Sequence, residues 1–144
     1  MEIVTMGKVI VPAKIENNAD LEAVAEGRLQ PNEVRTIEVN DALVDTGATM
    51  VSMPKELIRQ LGLRRVRTKR ARTAAGVFEF GVYSSVQLTV QGRECVSEVT
   101  ELADGCPVLI GQVPLELLDW VVDPVGQRLI GNPDHGGEQM IDLL

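Results

Sequence analysis

The stretch Ala42–Ile58, "ALVDTGATMVSMPKELI", decides how this chain is read. Ala42, Leu43 and Val44 run straight into Asp45, then the hydroxyl of Thr46, then Gly47. Asp and Gly are common turn formers. Asp45 is therefore either an ordinary turn residue or a carboxylate held in place for chemistry.

A second stretch helps to decide. "CPVLIGQVPLELL", from Cys106 to Leu118, repeats the pattern of apolar residues, a glycine, then proline, glutamate and leucines. Pro54, Glu56 and Leu57 map onto Pro114, Glu116 and Leu117. Each copy reads as strand, glycine turn, short helix. The first copy carries Asp45, whereas the second has Ile110 before Gly111. The repeat is structural and the chemistry sits in one half.

Around this repeat the pattern is strand-like. Val9, Val11, Ala13 and Ile15 alternate with Lys8, Ile10, Pro12 and Lys14, and a weaker alternation runs from Val34 to Val39. Phe78, Phe80, Val82, Val86, Leu88 and Val90 all occupy even positions. Period two predicts a strand or hairpin with one buried face. Gln91-Gly92 marks a turn, and Cys95–Leu102 reads as the returning strand. Helices are predicted to start at Pro54 and Pro114, the first stopping at Gly62, since proline suits the first helical position and glycine the stop. These readings predict an all-β domain: a closed, six-stranded-type barrel with one or two short helices.

Composition sets the remaining bounds. The chain has 144 residues, 44% apolar and 24% charged, with no dividing linker, which predicts one domain over 1–144. Aromatics are only 3%, so the core must be built from Val, Leu, Ile and Ala. A net charge of −7 argues against non-specific nucleic-acid binding. Cys95 and Cys106 lack metal-type spacing and read as buried structural thiols in a reducing compartment. No signal peptide and no membrane-length apolar run are evident, so a soluble, cytoplasmic protein is expected.

Asp-Thr-Gly after an apolar run, followed by a small residue and a hydroxyl, resembles the catalytic turn of the retropepsin-like (retroviral-type, single-lobe) aspartic proteases. Other landmarks follow in order over about residues 34–130. "RTAAGVFEFGVY" resembles the flap hairpin, "PVLIG" the turn that braces the catalytic loop, and "VPLELLDW" the helix after it. The segments 1–33 and 131–144 fall outside that core as an N-terminal strand segment and an irregular C-terminal extension.

The resemblance implies an aspartic endopeptidase with Asp45 as the catalytic residue. Thr46, Gly47 and Ala48 would support the loop, Thr46 by bonding to the partner loop. Thr73, Ala74, Ala75, Gly76 and Val77 would form the substrate-binding flap, while Leu109, Ile110 and Gly111 would brace the turn. It implies neither metal nor cofactor, because the water is activated by carboxylates alone.

That chemistry needs two carboxylates sharing one proton. No other aspartate here, Asp20, Asp41, Asp104, Asp119, Asp123, Asp134 or Asp142, is followed by a hydroxyl and a glycine. A homodimer, placing Asp45 twice across a two-fold axis, is therefore implied. A peptide or protein substrate would lie extended beneath the flap.

Other readings stand beside this one. The same fold could be a non-catalytic peptide-binding module. A phosphorylated aspartate fits poorly, because pump-type ATPases carry Asp-Lys-Thr-Gly-Thr and haloacid-type phosphatases need Asp-x-Asp. Arg64, Arg65, Arg67, Lys69, Arg70 and Arg72 form a basic run, leaving eight basic against twenty-one acidic residues elsewhere. It reads either as a docking site or as a solvated strand leading into the flap, and the absence of interleaved aromatics favours the strand. His135 is expected at the surface, and Trp120 is expected to pack the second helix onto the barrel.

Overall fold

The first alternation folds as a strand because burying every second residue gives it one dry face. In β1 (Val9–Asn17) the odd-numbered residues are buried and most even-numbered ones exposed. The computed structural model describes residues 8–143; residues 1–7 of the N-terminal segment and Leu144 lie outside the described residues. After β1 come α1 (Asn18–Ala25), a 3-10 turn (Pro31–Glu33), β2 (Thr36–Val44), β3 (Val51–Pro54), α2 (Lys55–Gln60), β4 (Arg65–Thr73) and β5 (Gly76–Val90). Then follow β6 (Arg93–Leu102), β7 (Leu109–Ile110), α3 (Gln112–Leu118), β8 (Trp120–Asp123), β9 (Arg128–Gly131) and a 3-10 turn at Pro133–His135. The fold is mostly β with short helices.

Seven strands pair in the order β1-β2-β7-β3-β6-β5-β4. β1 also pairs with β5, so six strands form a ring of pairings and β4 stands outside it. β2–β7 and β3–β6 are parallel pairs. The core gathers Val9, Ile15, Val51, Met53, Leu88 and Ile110 from four different strands, all with no measurable exposure. Among the described residues, no helix is long and apolar enough to cross a membrane.

α1 was not anticipated. Only Asp20 and Ala23 of it are buried, so it has no apolar stripe to announce it. Polar bonds hold it instead. Asn17 caps it, its side-chain oxygen accepting from the Asp20 amide at 3.1 Å, while Asn17 Nδ2 donates to Leu61 O at 2.8 Å. Arg35 grips the Asp20 carboxylate through Nε and Nη2, each at 2.9 Å, and holds it below the usual carboxylate range. Gly62 has φ +65°, and a Cβ there would meet the Arg35 guanidinium at 1.9 Å. The helix stop read at Gly62 thus also makes room for this ion pair. The two expected helices form slightly shifted: Pro54 caps α2, and α3 starts at Gln112, before Pro114.

The long even-numbered stripe does not face one way. β5 carries an irregularity between Tyr83 and Val86, where three steps along β5 match two along β6. One extra residue in a strand turns the following side chains to the opposite face. Val86, Leu88 and Val90 point into the core. Val82 pairs with Thr100 and Phe80 with Lys69, and these four line a cavity on the other face. Phe78, further out, is 52% exposed. Beyond Val82 the strand pairs only with β4, as a hairpin leaving the sheet.

The C-terminal extension is more ordered than expected, and His135 is not a surface residue. Its side chain is 9% exposed, with Nδ1 2.6 Å from Asp119 Oδ2 and Nε2 3.1 Å from Asp142. Asp119 ends α3 in the left-handed region and also accepts from Asn132 Nδ2 and the Met140 amide. Arg93 donates to Leu118 O, Asp119 O and Gly137 O, and its guanidinium lies 3.9 Å above the Trp120 ring. Trp120 donates to Val90 O. Cys95 is half-buried, its thiol pushed up to about 11 by burial. Cys106 departs from expectation: it is exposed, because the chain has left β6 for a surface turn.

Two variants probe these contacts. Asn17→Ala removes the helix cap and the bond to Leu61, and should cost about 1–3 kcal/mol in urea unfolding. The hydrogen bond to Asp119, reinforced by Asp142, raises the His135 pKa above its ordinary 6.5. Its contribution is full below that value and fades as pH rises through the raised folded one. Bonding to His135 conversely lowers Asp119 from its ordinary 3.8, so that contribution is lost towards strong acid. The stability lost in His135→Ala should therefore be larger at pH 5.5 than at pH 9, measured by urea unfolding at both.

Candidate active site

The site starts where β2 ends. Val44 pairs with Ile110 of β7, so Asp45 and Gly111 each directly follow a paired residue. The two copies of the internal repeat therefore lie side by side. The Asp45 amide donates to Ile110 O at 2.9 Å. The chain then turns: the Ala48 amide donates to Asp45 O at 3.0 Å, and the Gly47 amide donates to the carboxylate Oδ1 at 2.9 Å. A backbone N–H bonded to a carboxylate oxygen fixes the orientation of the group. Asp45 is half-buried and Thr46 is exposed.

The second copy of the repeat holds the far side of the turn. The first amides of a helix lack partners within it. Here Gln112 donates to Ala48 O at 2.9 Å and Val113 to Thr49 O at 3.0 Å, while Gly111, just ahead, donates to Met50 O at 3.0 Å. Three consecutive carbonyls of the turn meet three consecutive amides. A Cβ on Gly111 would lie 2.4 Å from Met50 O, so only glycine allows the approach. Leu109 and Ile110 supply the β7 pairing that sets this register.

A cavity of about 400 Å³ opens beside the turn. Gly47, Ala48 and Met50 form one wall, and Lys69, Phe80 and Val82 form the wall from the hairpin. Glu98 and Thr100 of β6 close it from the sheet. The hairpin tip stands beyond this wall. Thr73, Ala74, Ala75, Gly76 and Val77 are all exposed, and Thr73 Oγ1 accepts from the Ala75 amide and donates to Gly76 O. Gly76, at φ +128°, needs to be glycine. The chain thus brings Gly47 and Ala48 together with the arms of the hairpin, while its tip projects past them. Met50, Glu98 and Thr100 had not been singled out, and Lys69 had been read only as part of the basic run. Phe80 and Val82 face this cavity because of the β5 irregularity, which leaves only the Ser84-Ser85 pair as a trace in the sequence. Among the described residues, no group of three or more His, Cys, Asp or Glu is placed to hold a metal ion.

Comparison with known proteins adds to this geometry. Residues 18–116 match the family described as "gag-polyprotein putative aspartyl protease". The match begins at α1 and ends within α3, so it spans the turn, the hairpin and the bracing segment. No curated protein matches the chain in sequence. The solution structure of the Simian Foamy Virus (mac) protease aligns over 76% of this chain and 93% of its own, at 20% identity and a TM-score of 0.47.

Gly111→Ala should push α3 off the turn. The expected cost is about 2–4 kcal/mol in thermal or urea unfolding, in the range of overpacked backbone contacts. A variant as stable as the parent would mean that the close approach bears little strain.

Proposed function

The chain belongs to the gag-polyprotein aspartyl protease family, and from that premise we propose that it is an aspartic endopeptidase working as a homodimer. The observation that carries the reading is the anchoring of Asp45, whose backbone is tied to Ile110 while its carboxylate is held by the Gly47 amide. An acid so fixed at the lip of a cavity suits chemistry better than a loose turn does. The ring of six paired strands is read as the closed barrel of such an enzyme.

One Asp45 is half of the catalyst. A shared proton between two close carboxylates is the general property of aspartic proteases. Two copies of this turn across a two-fold axis would supply the pair. The ionised acid takes a proton from water as the water attacks the peptide carbonyl, and the protonated acid gives its proton to the carbonyl oxygen. Exposed Thr46 is the residue expected to bond the partner's loop. The hairpin would close over an extended substrate and exclude water. A cytoplasmic setting is proposed as well, in keeping with the free thiols of Cys95 and Cys106.

A diverse peptide pool incubated with the protein, from acidic to neutral pH, tests the activity. Asp45→Asn should lose about a thousandfold or more in rate. Titrating Asp45→Asn into the parent should also lower activity beyond simple dilution, because mixed dimers carry one carboxylate. Cleavage by a strict monomer, established by sizing at the assay concentration, would rule out the shared site. Cleavage at equal rates by parent and Asp45→Asn would rule out Asp45. Peptide binding without cleavage at any pH would favour a binding module.

A further inference from the structure

The cavity beside Asp45 carries two charged side chains, Lys69 and Glu98, and they are not equally available. Glu98 is already engaged by Arg67 Nη1, in contact at 2.5 Å. Arg65 is likewise paired, with Glu101 at 4.0 Å. The Lys69 side chain has no ion pair or hydrogen bond among the described residues. The side chains that share the hairpin wall of the cavity with it are apolar. Phe80 stands directly across the strand pair from Lys69, and Val82 is next along β5. Asp45 is not part of the cavity wall, so the cation is the free charge there.

Resting on the endopeptidase reading, we propose that Lys69 makes this pocket selective for an acidic substrate side chain, glutamate in particular. A glutamate would lay its methylenes against Phe80 and Val82 and bring its carboxylate to the Lys69 ammonium. A lysine or arginine in the same place would meet the Lys69 charge, with Glu98 already held by Arg67. The wider field acts in the same direction. Arg70 and Arg72 continue the cationic arm, while the chain outside the basic run carries eight basic and twenty-one acidic residues. An acidic peptide is repelled by the body and drawn to the hairpin.

The test uses a peptide that the protein cleaves, resynthesised with Glu, Gln or Lys at each position flanking the scissile bond in turn. At low salt the parent should cleave the Glu peptide about five- to tenfold faster than the Lys peptide, in kcat/KM, at one position. The gap should narrow as salt screens it. Lys69→Gln should flatten the preference and Lys69→Glu should invert it. Arg72→Glu, a reversal on the opposite face of the same strand, should leave the order intact. Indifference of the parent at every position would overturn the proposal. So would a Glu preference that survives in Lys69→Glu, or an equal shift in Arg72→Glu. If no peptide is cleaved, fluorescent acidic and basic peptides are compared for binding to the parent and to Lys69→Glu. A preference that inverts then upholds Lys69 while the endopeptidase reading falls, and an unchanged one sinks both.

Discussion

Three amides at the start of one segment bond to three carbonyls of another, and the site is built outward from that contact. Gly111, Gln112 and Val113 donate to Met50, Ala48 and Thr49. Both sides need the exchange. A helix start has amides without internal partners, and a tight turn has carbonyls that no strand ladder satisfies. Placed together, each answers the other, and Asp45 is carried between them with its own amide on Ile110 O. The cost is steric: the backbones come so close at Gly111 that no side chain fits. Of the duplicated sequence, the second copy presents its glycine and helix start to the turn of the first. An acid is wanted in only one of them.

The rest of the sheet holds that contact in place and adds a cleft to it. β7 is only two residues long, yet it pairs with both β2 and β3 and so fixes the turn between them. Above the turn, one strand serves two purposes. Its inner half fills the core with Val86, Leu88 and Val90. Its outer half turns over at the irregularity near Ser84 and presents Phe80 and Val82 to the cavity. A regular fifteen-residue strand could not do both, because every second side chain would point the same way.

At the opposite end of α3, the last carbonyls are satisfied by Arg93, and the Asp119 carboxylate gathers His135, Asn132 and the Met140 amide. The helix that braces the turn is therefore held at both ends. On the hairpin, Arg65 and Arg67 are committed to Glu101 and Glu98, and Lys69 is the cation on the cavity wall without an ion pair among the described residues. The basic run reads as uniform in sequence. In the structure β6 supplies acidic partners to Arg65 and Arg67.

Much of this was legible along the chain. The alternation of β1, the Gln91-Gly92 turn, the return of β6, the glycine stop at Gly62 and the position of Asp45 are local patterns, set by period and turn chemistry. Residues within a few positions of one another decide them. What escaped was set by partners far away in sequence. α1 depends on Asn17 reaching Leu61 and Asp20 reaching Arg35. His135 is enclosed because the tail folds back on Asp119. Phe80 and Val82 change sides because β6 imposes a register that their own spacing does not reveal. The sequence by itself determined that one acid sits on a glycine turn, with a copy further along that has Ile110 before its glycine. Only the tertiary structure decided what surrounds that acid, because facing, burial and free charge are properties of pairs that the chain brings together.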